Sequence, residues 1–449
     1  MLRSTEDRMQ AGRALRQRVG RRSHGAWTAA RHREDPVTIL TRGDAERTPA
    51  LVPIRYGRMA QGPFEFFRGA AAIMAADLAH TPASGLHAQL CGDCHLANFG
   101  GFATPERNIA FDITDFDETL PGPWEWDLKR LATSVVVASR HNRFSRGDAR
   151  EAARTSVRAY RERMAVLAAM GALDRWYQRI DVTALVNTVR TRKWRERVER
   201  LVARQASRSA FSDDFPKLAD MTDGRPRIKD DPPLLFHETD VDPEAGLALV
   251  RAAVARYRET LAEDRRHLLD RYQVMDAAAK VVGVGSVGRR CLILLMMAAP
   301  DDVLFLQVKE ARQSVLEPYL QPSTHAHHGE RVVVGQRLMQ SASDVFLGWT
   351  SERGRDYYVR QLRDIKIKPV VEVFDAVAML RYAEWCGWAL ARAHARTGDA
   401  AAIAGYLGSS ARVDEAIGRF AEAYADQNER DHEALLEAIR DGRVPMVQA

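Results

Sequence analysis

Cysteine, lysine and long apolar runs are what this 449-residue chain has least of. Four cysteines in so long a chain imply no disulfide scaffold. The longest strongly apolar run, Cys291–Ala299, is nine residues, well short of the roughly 18 to 20 that a membrane-spanning helix needs. The first residues, MLRSTEDRMQAGRALRQRVGRR, contain no apolar core of a cleaved leader. Export by that route is not expected, and a cytoplasmic location is the expectation. Internal repeats and long low-complexity tracts are absent too. Lysine occurs eight times against 58 arginines, within a net charge of only +6. What is abundant is apolar residues, at 46%, enough for a sizeable core and too many for a disordered or fibrous chain. The length suggests roughly three domains or lobes.

Much of the basic excess lies in residues 1–35, which hold nine arginines. Residues 1–55 read as a basic arm. A solvated, partly helical tail is the expectation, ahead of nucleic-acid contact, because no basic and aromatic residues interleave as a stacking surface would require. From 56 to 130 the chain is dense in Gly, Pro, Asp and aromatics, with strand-like pieces at His87–Leu90 and Asn108–Thr114. Helical spacing dominates 128–205 and 243–272, and the turn-rich stretch 211–240 between them predicts loops. At about 274 the texture changes. VVGVGSVG, RCLILLMM and the alternating LFLQVKE predict a Gly-rich hairpin and a third strand, with a further strand within 353–368. Residues 371–439 read as Ala-rich helix, broken near Gly405–Ser410.

The most informative segment is Cys91-Gly92-Asp93-Cys94-His95-Leu96-Ala97-Asn98-Phe99-Gly100. Seventeen residues after Asn98, directly behind the apolar stretch Ile109–Thr114, comes Asp115-Phe116-Asp117-Glu118. A loop with Asp and Asn five apart, then a short strand ending in Asp, suits phosphoryl transfer. Asp93 can accept a hydroxyl proton while Asn98 and Asp115 hold magnesium beside the phosphates. Each piece alone is weak, because Asp and Asn crowd turns for local reasons.

GDCHLANFG followed by ITDFDE resembles the catalytic loop and metal-binding strand end of aminoglycoside phosphotransferases and choline kinases, in the protein-kinase-like superfamily. More closely, the runs RMAQGPFEFFRGAA, CGDCHLANFG, DFDETLPGPWEWDLKRLATS, VGVGSVG, LQVKEA, GQRLMQSASDVFLGW and LARAHARTGD resemble the bacterial family labelled domain of unknown function 2252, over about residues 55 to 445. The resemblance implies Asp93 as catalytic base, Asn98 and Asp115 as magnesium ligands, and Asp117 as a second-metal or orienting carboxylate. It implies a structural Asp127 that ties the next helix to the catalytic loop. His95 either orients the loop or is a buried, hydrogen-bonded histidine.

The Gly-rich run Gly283-Val284-Gly285-Ser286-Val287-Gly288 has two readings. In a kinase-like loop between two strands, Gly283, Gly285, Ser286 and Gly288 cover the phosphates of ATP, and Lys309 contacts them. In a dinucleotide fold, residues 289–299 would be a helix and Glu310 would meet a ribose. A snorkelling strand-end lysine is the plain reading of Lys309. In ordinary kinases the Gly-rich loop precedes the catalytic loop, whereas here it follows by nearly 200 residues. Circular permutation accounts for that order. The carboxylate partner of Lys309 is not assignable from sequence. Glu317 and Glu330 are candidates; Glu310, its strand neighbour, points to the opposite face.

Cys91-Gly92-Asp93-Cys94-His95 is also a C-x-x-C-H string, but covalent haem needs an exported context. A redox-sensitive cysteine pair remains open, whereas zinc lacks a second ligand pair. Cys291 and Cys386 read as core thiols. Arg68 packs or reaches a phosphate; His325, His327 and His328 read as a polar turn, and His394 as a structural hydrogen-bonding residue.

The expected fold is α+β: a two-lobed, permuted kinase-like protein with a mostly helical large lobe and a small antiparallel sheet lobe. Its parts are the arm 1–55, the catalytic-loop and helical part 56–273, the sheet lobe 274–368 and completing helices 369–449. The expected activity is ATP- and Mg2+-dependent phosphoryl transfer to a small hydroxyl-bearing molecule. The alternatives are a nucleotide-binding pseudokinase or regulatory protein, a nucleotidyl transferase, a dinucleotide-binding enzyme and a metal-dependent hydrolase. Nothing in the sequence indicates an oligomeric state.

Overall fold

Two hairpins and a cross-connection place the acidic loop against the large sheet. The computed structural model describes residues 3–187, 195, 196, 199, 200, 203, 214–222, 224–237, 242–362 and 366–447. The fold is α+β with antiparallel sheets. In the first half, β1 (His87–Leu90) pairs with β4 (Leu120–Pro123), and between them β2 (Phe99–Ala103) pairs with β3 (Ile109–Ile113). A small hairpin follows, β5 (Ala219–Thr222) and β6 (Arg225–Ile228). Residues 211–213, 223 and 238–240 of the turn-rich stretch, and much of 188–205, lie outside the described residues.

The largest sheet contains β7 (Leu235–Phe236), β8 (Gln273–Lys280), β9 (Cys291–Ala299), β10 (Asp302–Ala311), β11 (Gly348–Glu352) and β12 (Arg355–Gln361). Its order is β11-β12-β10-β9-β8-β7. Residues 291–299 are thus a strand, not the helix that a dinucleotide fold requires. β10 is buried from Val303 to Ala311 because both of its faces are covered. Leu304, Leu306 and Val308 pack towards Tyr257 of the helix Pro243–Arg258, while Val303 and Phe305 meet Ile228 of β6. After β12, the short strand β13 (Lys366–Ile367) joins β2, so the chain leaving the large sheet pairs with the hairpin that follows the acidic loop.

Helices Trp124–His141, Arg146–Ala168, Ala376–Thr397, Ala400–Leu407 and Arg412–Arg440 surround the main core, where Trp124 stacks on Tyr160. Gly408, at φ 69°, ends the Ala400 helix within the expected break. At Gly387 the backbones of two helices touch: a Cβ there would lie 2.2 Å from the Ser156 carbonyl oxygen.

The N-terminal arm is docked, which corrects the expectation of a solvated tail. Its helix Thr5–Ala14 crosses Ala400–Leu407 at two glycines, with Gly12 against the Ala402 carbonyl and Gly405 against that of Met9. Arg16 Nε donates to the Tyr406 carbonyl (2.9 Å) and Arg21 to that of Leu407 (2.7 Å). Arginines near a helix C-terminus satisfy carbonyls that have no intrahelical partner. Arg33 bridges Asp77 and Asp431, at 2.8 and 2.6 Å. Arginine content that reads as a free basic surface is therefore partly bound to the chain's own acceptors. Among the described residues, no helix is long and apolar enough to cross a membrane.

Candidate active site

One helix face sets the loop that carries Asp93. Asp127, Arg130 and Ser134 recur at spacings of three and four on Trp124–His141, so they share a side of that helix. Asp127 accepts the backbone N–H groups of Cys91 (2.8 Å) and Gly92 (3.1 Å), and Ser134 Oγ accepts that of Leu96 (3.0 Å). Arg130 places Nε and Nη2 on one oxygen of Asp93, Oδ1, at 2.8 and 2.5 Å. The other oxygen, Oδ2, is 3.7 Å from His95 Nε2. The Asn98 amide N–H donates to the Asp93 carbonyl (2.9 Å), which leaves its amide oxygen as the remaining ligand atom.

A second turn, 115–118, closes on the first. Gly92 has φ 83°, and a Cβ there would lie 2.4 Å from the Glu118 carbonyl oxygen, so only glycine lets the turns meet so closely. Asp115 Oδ1 accepts the Asp117 N–H (3.2 Å), a local turn bond. Lys309, on β10, brings Nζ to 2.5 Å from Asp117 Oδ2 and 3.9 Å from Asp115 Oδ2. The Tyr358 hydroxyl donates to Asp117 Oδ1 (2.7 Å), and Arg289 reaches Glu118 (2.8 Å) and Asp117 (3.5 Å).

The Gly-rich turn joins β8 to β9 and leads directly into Arg289. Gly283 and Gly288 have φ 71° and 87°, the left-handed backbone that favours glycine. The turn is held from outside. Arg58 donates to the Gly283 carbonyl (2.5 Å), Arg47 to that of Val287, and the Thr48 N–H to that of Gly288 (2.9 Å). Val287 is buried with Ile54. Ser286 Oγ donates to the Val282 carbonyl (3.3 Å), within the turn. A Cβ on Gly285 would lie 3.2 Å from the Arg68 carbonyl oxygen.

Charge follows from these contacts. Burial pushes the Asp93 carboxyl up to about 6, with Arg130 opposing and Asp115 adding to the rise. Burial would raise Asp117 as well, but Lys309 and Arg289 outweigh it and hold that carboxyl below its usual range. Lys309 is correspondingly kept protonated: against burial, the largest influence, Asp117, Tyr358 and Asp115 together prevail. Burial, then Arg68 and Arg130, keep the His95 imidazole neutral.

The family profile described as "uncharacterized protein conserved in bacteria (DUF2252)" matches residues 47–438. The chain belongs to the DUF2252 family. No curated protein and no solved structure matches it.

In this DUF2252 protein, Asp93, Asn98, Asp115, Asp117 and Lys309 come together, and Arg289 links the end of the Gly-rich turn to the acidic one. Glu317 and Glu330 do not pair with Lys309. Glu317 accepts the Ser314 N–H (3.1 Å) and Glu330 lies 3.7 Å from His325, so each serves its own turn. Among the described residues, the carboxylates within 4 Å of Lys309 are Asp115 and Asp117. Glu310 pairs with Arg312 and Arg355 on the opposite face. Cys91 and Cys94 are free, buried thiols that burial pushes up. With Asp127 they bring ligand atoms within 4.8 Å of one another. Asp127, however, already accepts two N–H groups and lies 3.3 Å from His394 Nε2. His394 in turn meets Tyr160 (3.0 Å), a structural relay. His327 accepts the Glu330 N–H and starts the helix His328–Met339. Arg130, Arg289 and Tyr358 escape the sequence reading. Only Arg130 carries a signal there, three residues after Asp127 on a helix.

Proposed function

We propose that this protein is a Mg2+-dependent phosphotransferase that moves the terminal phosphoryl group of ATP to a small hydroxyl-bearing molecule, on a kinase-like two-lobed arrangement with permuted lobe order. The observation that carries the reading is Lys309: two strands after a Gly-rich hairpin, its ammonium lies 3.9 Å from Asp115, although 194 residues of sequence separate them. Kinase-like sites combine such a turn over the phosphates, a lysine on the third strand and an acidic strand end. A snorkelling lysine would point its head to water; the side chain of Lys309 is 3% exposed.

The roles follow from the contacts. Arg130 occupies Asp93 Oδ1 and leaves Oδ2 to take the acceptor's proton. Neutral His95 borders that oxygen without adding charge. Lys309 exchanges its contact with Asp117 for nucleotide phosphate oxygens, and Tyr358 and Arg289 still hold Asp117. The Asn98 amide oxygen and the Asp115 carboxylate form an all-oxygen donor set of the kind that Mg2+ takes. Bound there, Mg2+ would neutralise phosphate charge.

Calorimetry with Mg2+ and ATP, followed by turnover against a panel of hydroxyl compounds, tests the reading. Asp93→Asn is expected to bind ATP and lose at least about 100-fold in turnover, and Lys309→Met to lose affinity. Absence of ATP binding in the unaltered protein, or unchanged affinity in Lys309→Met, refutes it.

A further inference from the structure

The cations of the cleft are not all matched by carboxylates. Lys309, Arg289 and Arg130 each have an acidic partner. Arg68 and Lys368 have none within 4 Å among the described residues, and Arg68 Nε is buried without a hydrogen-bond partner.

Both residues are held beside the reacting groups by backbone geometry. Arg68 lies in the last turn of the helix Pro63–Gly69. The preceding carbonyl, that of Phe67, accepts Arg130 Nη2 at 2.9 Å, from the guanidinium that grips Asp93. Its own carbonyl abuts Gly285 of the Gly-rich turn. Arg68 therefore sits at the junction of catalytic loop and Gly-rich turn, its guanidinium over the Phe64 ring, with Cζ 5.9 Å from the centroid. Lys368 follows β13, whose Ile367 is opposite Gly101 of β2, so continuing that register brings Lys368 beside Gly100, two residues beyond Asn98. The two cations also feel the site and each other. Arg68 helps to keep His95 neutral, and burial, Arg360 and Arg68 lower the Lys368 ammonium while Asp115 opposes them. Lys368 is exposed, so an anion can reach it, and one arriving between the two cations relieves their mutual repulsion.

Resting on the phosphotransferase reading above, we infer that Arg68 and Lys368 form an oxyanion subsite that contacts the phosphoryl group in transit. In the step, the acceptor oxygen forms its bond to the γ-phosphorus as the bond from that phosphorus to the β–γ bridging oxygen breaks. The electron pair leaves with ADP, and the acceptor proton goes to Asp93. Charge spreads over the three equatorial oxygens of the transferring group. A planar guanidinium suits these oxygens, and an ammonium supplies a point charge.

The test needs no knowledge of the acceptor. Thermal melts of the full chain are recorded with Mg2+ and ADP, then with fluoroaluminate added as a mimic of the transferring group. The unaltered protein is expected to gain a further stabilisation from fluoroaluminate. Arg68→Met, which removes the cation and keeps an aliphatic side chain in its place, is expected to keep the ADP shift and lose that increment, and Arg68→Lys to recover part of it. If Arg68→Met does not fold, Lys368→Met provides the same comparison. A full increment in the variant, or none in the unaltered protein despite an ADP shift, overturns the inference alone. An equal stabilisation by inorganic phosphate without ADP assigns the pair to a free-phosphate site and overturns it too. If Mg2+ and ADP give no shift at all, the phosphotransferase reading falls first and the inference with it.

Discussion

Replacing Arg130 by Met removes the one cation that opposes the rise of the Asp93 carboxyl most strongly. At about 2.7 Å and an effective dielectric of about 20, a unit charge pair is worth about 6 kcal/mol. At 1.36 kcal/mol per unit, that bounds the shift at about 4 pKa units. The side chain of Asp93 is 22% exposed, so water takes up part of the lost interaction. The expected rise is therefore about 1 to 3 units. The carboxyl, pushed up to about 6 with Arg130 in place, would titrate at about 7 to 9 without it. The base form of Asp93 is the active one, so turnover falls as pH drops through this value. In the variant the acid limb of the pH–rate profile moves towards alkaline pH. Stability has its own sign. A carboxyl raised above its unfolded value of 3.8 contributes stability that is complete below that value and lost as pH rises through about 6. Carbon-13 NMR titration of labelled aspartate follows Asp93 directly, and the pH–rate profile follows its role. An unchanged or lower midpoint in Arg130→Met would refute the electrostatic account of this site.

Two further substitutions probe the frame. Arg392 and Asp112 form an ion pair whose side chains are both fully buried, so Arg392→Met strands the carboxylate and should cost about 3 to 5 kcal/mol in urea unfolding; a loss below about 1 kcal/mol would contradict the pairing. A Cβ on Gly405 would lie 2.1 Å from the Met9 carbonyl oxygen, so Gly405→Ala must push the N-terminal helix away. The expected cost is about 1 to 3 kcal/mol, with faster tryptic cleavage within the arm, and unchanged cleavage kinetics would argue against the docked arrangement.

Local chemistry made several elements legible. Alternation in LFLQVKE and the glycines of VVGVGSVG mark a hairpin and third strand before any contact is known, because pleat period and turn-forming glycines are properties of a few consecutive residues. The order of Asp93, Asn98 and Asp115 around apolar strands marks a polar site for the same reason. The helix carrying Asp127 is legible too, and with hindsight so is Arg130, since spacing along a helix defines a face.

Which groups meet across long separations was decided only by packing. Lys309 takes Asp117 rather than Glu317 or Glu330 because β10 is buried on both faces and its lysine side looks onto the acidic turn. The arm docks because two glycines allow backbones to touch and because arginines find helix-end carbonyls, neither of which composition records. A strand's periodicity states that one of its faces is covered; the identity of the cover depends on chain segments hundreds of residues away, and that is a property of the assembled core alone.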